Sequence, residues 1–597
     1  MKAKIITILA CLCLSLHAQK YEVRAVWLTT IGGIDWPHSA NANRQRQELC
    51  QILDQLKMAN VNTVLLQTRV RASTIYPSDI EPFDLCLTGT HGMHPGYDPL
   101  QFAIDECHKR GMELHAWIVT IPIGKTGEAR FKEFKRRHPE LAMNIGQEGY
   151  MNPEKPATGD YLARICAEVT RRYDIDGIHL DYIRYPETWP KGGGTAKAAN
   201  TRNRRAKSKI AATATPAPRT TAYEKRANIT AIVRKIYQAV KSQKPWVKLS
   251  CSPIGKAGDL SRYRSGGWNA YHAVYQDAQG WLREGLMDQL YPMMYFRGNN
   301  FYPFALDWQE RSYGRTIVSG LGIYFLSPRE GNWPLVDVTR EMHFLRRNGI
   351  GHCYFRSKFL TDNTKGIYDF VRQFDNAPAL IPPMTWTWSQ KPGAPTQLSV
   401  ERQATADRLA WSGATDRSGA PYLLYNVYAS TVPYVDTSEP RNLVATRVMG
   451  NSITLPHSNG CMLYYAVTAI DRYGNESQVP GQGIRGNALS SDMSLTSNNS
   501  LIPSGTNSPL ISYTSALPPV LLRSDGKRLK LPKKPSVLDA DYMAIETMQG
   551  QLLMTVPYHN DYANVSRLPD GIYQLRSIGR KGVSHRMGLF TIKRQTQ

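Results

Sequence analysis

Along residues 21–375, short apolar runs alternate with stretches in which apolar residues recur every three or four positions. The first kind reads as strand, at 24–29, 62–67, 113–119, 177–182, 247–252, 289–295, 316–321 and 351–355. These runs are apolar nearly throughout, the pattern of strands covered on both faces. The second kind reads as amphipathic helix, at 45–59, 99–110, 160–173, 223–240, 271–284, 335–347 and 364–374. In the first of these, Leu49, Ile52, Leu53 and Leu56 fall on one stripe. Eight strands separated by helices predict an α/β fold, a (β/α)8 TIM barrel over 21–380. A doubly wound open sheet is the second choice, but no GxGxxG follows the first strand.

A Pro- and Trp-rich stretch closes this pattern, and beyond it apolar residues alternate with polar ones, the period of half-buried strands. Residues 390–482 resemble a fibronectin type III domain through Trp411, Tyr425 to Tyr428, and Tyr465 to Ala469 followed by Asp471 to Glu476. A Ser/Asn/Thr-rich segment, 483–514, reads as a flexible linker. The last part, 515–597, is again β-like and resembles C-terminal sorting or attachment modules of secreted proteins. The expected architecture is therefore a barrel with C-terminal all-β sandwich domains.

The N-terminus carries two lysines, an apolar run from Ile5 to Leu16 and a small residue, Ala18, which predicts an export signal over 1–18 and a periplasmic or cell-surface protein. Cys11 lies within that run and offers a weaker alternative, lipoprotein anchoring. No stretch reaches the ~18 apolar residues that a transmembrane helix needs. Of nine cysteines, Cys11 and Cys13 fall in the signal, and the others show no CxxC spacing, so neither a metal site nor a disulfide framework is expected. No cofactor motif is present. The net charge of +24 raises the question of a polyanionic partner. Its densest part, 191–226, is rich in Gly, Ala and Thr and lacks aromatics that stack bases, which argues against nucleic acid. It reads as a solvated basic loop capable of weak association with the envelope.

In such a barrel the loops at the C-terminal strand ends gather around one cleft, and that rule ranks the polar residues. Asp181 ends the fourth strand and is the leading candidate for a catalytic carboxylate. Asp174, Asp176 and Asp288 precede their strands and belong to the opposite face. Asp35 and Glu187, from loops, are the candidates for a second carboxylate. Substrate-binding candidates are Trp36, Gln67, Arg69, His115, Trp117, Arg184, Tyr291 and Tyr295, each near a predicted strand end. His115, Trp36 and Trp117 serve equally well as core residues. Neither HExxH nor a tight His/Asp cluster supports a zinc-dependent amidase or deacetylase.

Taken in order, Val23 to Thr29, Asn62 to Arg69 with Tyr76 to Ser78, His115 to Trp117, Asp181 to Pro186, Lys225 to Asn228, Ser252 to Gly255 and Tyr354 to Lys358 resemble the glycosyl hydrolase-like 10 family. The resemblance implies a TIM-barrel glycosidase of the bacterial envelope, with a polysaccharide substrate and peptidoglycan glycan strands as its class. Glycoside cleavage normally uses two carboxyl groups, so the resemblance implies Asp181 as general acid with Asp35 or Glu187 as the second, or a substrate amide oxygen as the alternative nucleophile. A non-catalytic glycan-binding protein on the same scaffold is the competing reading, because fold does not dictate function.

Overall fold

In the computed structural model, eight parallel strands close into a barrel. The structure describes residues 19–189 and 220–479, apart from 404, 432 and 457–462, and shorter segments between 528 and 592. The expected export signal with Cys11, the linker and most of the basic loop lie outside the described residues.

The barrel strands are β1 (Arg24–Leu28), β2 (Thr63–Arg69), β3 (Glu113–Val119), β4 (Gly177–Asp181), β5 (Lys248–Cys251), β6 (Gln289–Leu290), β7 (Thr316–Leu321) and β8 (Gly351–Tyr354). Each pairs with its neighbours in sequence, and β8 pairs with β1 to close the ring. Side chains alternate between two environments. Ile178 and Leu180 of β4 pack outward into the layer shared with the helices, as do Leu114, Ala116 and Ile118 of β3. Ala25, Trp27, Leu65, Trp117, Tyr291 and Val318 fill the interior, so the barrel is packed and not a pore.

All eight predicted strands are present, but β6 is cut to two residues. Pro292 has no N–H to give the ladder, and pairing resumes only as single bridges from Met293 to Ile254 and Gly320. The helix predicted over 271–284 is two short ones, Ala270–Ala273 and Ala278–Arg283. Two features were not anticipated: the helix Tyr302–Glu310 before β7, and an insertion after β3. That insertion is a small antiparallel sheet (Pro122–Lys125, Ala142–Ile145, Glu148–Met151) with the helix Ala129–Arg137 across it. The tail of the basic segment is also not loop. Thr221 and Glu224 form a reciprocal capping box, and the helix Ala222–Lys241 starts there.

After the barrel come β9 (Thr396–Arg402), β10 (Ala406–Ser412), β11 (Leu424–Ser430), β12 (Leu443–Met449), β13 (Ser452–Pro456) and β14 (Tyr464–Ile470). They form two three-stranded antiparallel sheets, β9-β10-β13 and β12-β11-β14, around a shared core of Leu409, Trp411, Tyr425, Val427 and Val467. This sandwich docks on the N-terminal end of the barrel. Arg447 of β12 donates to Glu113 at the foot of β3 and to Asp176 just below β4. Arg472 reaches Asp174 and Asp176 from the same side. Further antiparallel strands follow, including a four-stranded sheet with Met543, Ile545, Leu575 and Phe590 in its core.

Candidate active site

Asp181 is the last residue of β4, and the strand's alternation turns it inward at the C-terminal mouth of the barrel. Register decides its neighbours. β3 and β4 align Val119 with Asp181 and Trp117 with His179, so the Trp117 indole, one pair lower, reaches up to the carboxylate. Its Nε1–H donates to Oδ2 at 3.2 Å. On the other side β5 aligns Cys251 with Leu180, which brings Ser252 beside Asp181, and its hydroxyl donates to Oδ1 at 2.9 Å. The third donor is the backbone N–H of Tyr182 at 2.7 Å, also to Oδ1. Tyr182 takes a left-handed conformation, φ 53°, which only a turn fixed by its surroundings holds in a non-glycine residue.

The three donors favour the ionised form of Asp181, as does the nearby Arg184 charge. Burial outweighs them: with 6% of its surface exposed, the carboxyl is held above its ordinary pKa. Oδ1 accepts two hydrogen bonds and Oδ2 one. Oδ2 is therefore the oxygen with room for a proton.

Beneath Asp181 the interior is polar but closed. His179 accepts from the Trp27 indole at Nε2 and meets the Ser250 hydroxyl at Nδ1, 3.0 Å away, which fixes it as the neutral Nδ1–H tautomer. Burial lowers its pKa well below the ordinary value, in keeping with that state.

Beside Asp181, a cleft of about 290 Å³ opens between the β4 loop and the inserted sheet. Arg71, Glu148, Tyr150, Tyr182, Arg184 and Glu187 are among the residues that line it. Tyr182 is 39% exposed, and the Arg184 guanidinium lies 4.4 Å from the centre of its ring. Glu187 is largely exposed, 3.8 Å from Arg184. On the opposite rim Tyr295 stacks on Phe355 at 5.3 Å, and the negative charge of Asp181 is one cause of its raised pKa, after burial.

Several expected site residues lie elsewhere. His115 stands low on β3, fully buried, with Nε2 on Glu113, so it belongs to the barrel floor and not to a sugar cleft. Arg69 is also fully buried; Nε and Nη2 grip Glu81 at 2.8 and 2.7 Å while Nη1 donates to the Val119 and Thr120 carbonyls. All three of its guanidinium nitrogens donate inside the protein. Trp36 is buried against the helix layer, and its indole donates to the Gln45 carbonyl. Tyr291 sits in the barrel interior, donating to Gln289. The Gln67 carbonyl oxygen accepts from the N–H groups of Thr30 and Ile31, so it shapes the loop after β1. Asp35 accepts from Thr29 N–H and from Arg356, which ties the β1 and β8 loops together. The structure thus gathers Asp181, Trp117, Arg184 and Glu187 at one mouth. It adds Ser252, Tyr182, Arg71 and Tyr150, which strand-end position alone does not single out.

Residues 22–319 match the family model Glycosyl hydrolase-like 10. The match runs from just before β1 into β7 and includes every residue named around Asp181 except Phe355 and Arg356. Glycosyl hydrolase YngK of Bacillus subtilis (strain 168) is 28% identical over 502 residues, covering 76% of this chain and 92% of that protein. Glycosyl hydrolase DigH of Escherichia coli (strain K12) is 30% identical over 310 residues, covering 46% of this chain and 65% of that protein. Among solved structures, the glycoside hydrolase domain of PgaB (BpsB) from Bordetella bronchiseptica superposes with a TM-score of 0.40 at 13% identity, covering 59% of this chain and 98% of that one. The barrel is thus similar in sequence to glycosyl hydrolase-like proteins.

Proposed function

We propose that this protein is an exported glycoside hydrolase that cleaves a bacterial envelope glycan, with peptidoglycan glycan strands or a related amino-sugar polymer as substrate. The observation that carries the proposal is the setting of Asp181: a carboxyl at the C-terminal mouth, held above its ordinary pKa by burial, with Oδ2 left to carry a proton. That is the state a general acid requires. The glycosyl hydrolase-like family match and the relatives' names support the reaction class. Among the described residues, no helix is long and apolar enough to cross a membrane, which is compatible with export.

In the reaction, the Asp181 proton passes to the glycosidic oxygen as the bond from that oxygen to the anomeric carbon breaks. Water then adds to the anomeric carbon. Glu187 lines the same cleft and takes the proton of that water; if the sugar's N-acetyl oxygen attacks first, the same water opens the ring it forms. Asp35 does not serve, because Arg356 and Thr29 already occupy its oxygens.

The test is release of reducing ends from purified wall glycan. Asp181→Asn should abolish release and leave the melting temperature nearly unchanged, whereas an active Asp181→Asn protein would refute the acid. Loss of activity in Glu187→Gln assigns it the base, and retained activity assigns the nucleophile to the substrate amide. Binding of the glycan by the wild-type protein without any new reducing ends would establish the glycan-binding protein instead.

A further inference from the structure

Two guanidiniums in the cleft beside Asp181 keep hydrogen-bond donors unused. Arg184 is 6% exposed, and its Nη1 is buried with no hydrogen-bond partner. Asp181 lies near enough to feel its charge, and the ion pair of Arg184 with Glu187 is long, 3.8 Å from Nη2 and beyond hydrogen-bond range, with 56% of the Glu187 side chain exposed. Arg71 lines the same cleft and, among the described residues, makes no hydrogen bond or ion pair. Its backbone is held left-handed at φ 55°, followed by Ala72 at φ 62°, so the turn after β2 fixes where this side chain starts. The remaining lining includes a second carboxylate, Glu148, which forms no ion pair with either guanidinium, and the aromatic Tyr150 and Tyr182. The contrast with Arg69 is informative: that guanidinium has Glu81 and two carbonyls, as buried guanidiniums normally do.

A buried guanidinium nitrogen without a partner and a second unpaired guanidinium, lining one cleft of about 290 Å³, are suited to a planar anion. We propose that Arg71 and Arg184 form a subsite for a carboxylate carried by a sugar residue next to the scissile bond, and that this pair sets the enzyme's preference for acidic over neutral glycans. The inference rests on the cleft serving as the glycan site proposed above. Two sources supply such a group, the lactyl ether of a muramic acid and the C6 carboxylate of a uronic acid, and both present it on a ring that the tyrosines can flank.

The experiment measures binding by calorimetry to the full-length Asp181→Asn protein, so that no turnover intervenes. The probes are a tetrasaccharide alternating N-acetylglucosamine and N-acetylmuramic acid, the same tetrasaccharide with its carboxyls converted to carboxamides, chitotetraose, and tetragalacturonate. The acidic tetrasaccharide should bind on the order of 10- to 100-fold more tightly than its carboxamide, the scale of charge-assisted hydrogen bonds, and the ratio should shrink with added salt. Adding Arg71→Gln and Arg184→Gln should bring the ratio close to 1, and Arg184→Lys should restore only part of it. Tetragalacturonate binding as tightly as the acidic tetrasaccharide assigns the subsite to any sugar carboxylate; weak binding narrows it to the lactyl group. Equal affinity for acid and carboxamide, or a ratio that survives both substitutions in a folded protein, overturns the inference. Failure of the hydrolase reading shows separately, as absence of reducing ends from every glycan with the wild-type protein.

Discussion

The indole N–H of Trp117 donates to Oδ2 of Asp181 across the β3–β4 boundary, and this contact holds the carboxyl at the barrel mouth. It also tunes it. A donor to the carboxylate stabilises the charged form, so it opposes the upward push of burial. Trp117→Phe keeps the ring volume approximately and removes the donor. Its Asp181 pKa should rise further, and the alkaline limb of the pH–rate profile should move to higher pH with kcat reduced. A limb that moves to lower pH, or does not move, would show that the indole does not act on the acid.

Ser252 makes the parallel case from the other side, through Oδ1. Ser252→Ala removes a donor from the oxygen that does not carry the proton in the proposed reaction. The same upward shift is expected, with a smaller fall in kcat than for Trp117→Phe, because the orientation of Oδ2 is left to the indole. Measuring kcat against pH for both variants separates tuning of the acid from its placement.

Arg69 and Glu81 make a different claim, about stability. Both are buried, and two hydrogen bonds join them. Removing one partner strands a buried charge, which typically costs about 3–5 kcal/mol. Arg69→Met should therefore lower the melting temperature by many degrees while the protein that remains folded binds glycan as before. A normal melting temperature with weakened glycan binding would return Arg69 to the cleft.

The barrel was legible in the sequence because each strand's burial shows as an unbroken apolar run, and Glu113 to Val119 and Thr316 to Leu321 fall where the pattern puts them. β6 was overextended because hydropathy does not register the donor that Pro292 lacks. Asp181 was legible for a related reason: a lone carboxylate ends an apolar strand, and the barrel's geometry gives that position a meaning. Its partners were not. Trp117 and Ser252 lie 64 and 71 residues away, and only the register between neighbouring strands brings them together. His115 and Arg69 misled because a polar residue within a barrel strand can be satisfied inside the protein, and a sequence pattern does not display the partner. Glu113 satisfies His115 from two residues earlier on the same strand, and Glu81 reaches Arg69 through the path of the loop after β2.

Glu341 gives a prediction independent of any activity. It is buried on the helix Leu335–Arg347, and burial, reinforced by Asp337, raises its pKa to about 9. The folded-state value lies above the ordinary one of 4.5, so the group binds a proton more tightly when folded. Its contribution is fully present below pH 4.5 and is lost as pH rises towards 9. Glu341→Gln, which keeps the neutral form, should raise the melting temperature at pH 8 and have little effect at pH 4. Equal effects at the two values would show that Glu341 is not protonated in the folded protein.

The barrel floor titrates in the opposite sense. Burial alone would raise Glu113, but the charges of Lys248 and Arg447 outweigh it and hold its pKa at about 2. Asp176 is likewise held well below its ordinary value against burial, by Arg447, His108 and Arg472. Folded-state values below the ordinary ones mean stability that is present above about pH 4.5 and lost as pH falls towards 2. Arg447 links both carboxylates and comes from the sandwich, so part of this acid sensitivity belongs to the contact between sandwich and barrel. Arg447→Met should destabilise the protein at pH 7 by about 3–5 kcal/mol, the usual consequence of leaving buried charges uncompensated. It should also flatten the fall in melting temperature between pH 4.5 and 2, because both carboxyls relax upwards once the shared cation is gone. Glu113→Gln added to Arg447→Met should recover part of the loss at pH 7. Thermal melts of the wild-type, single and double variants across that range decide it: parallel curves for wild type and Arg447→Met would mean that the sandwich guanidinium does not compensate the barrel floor.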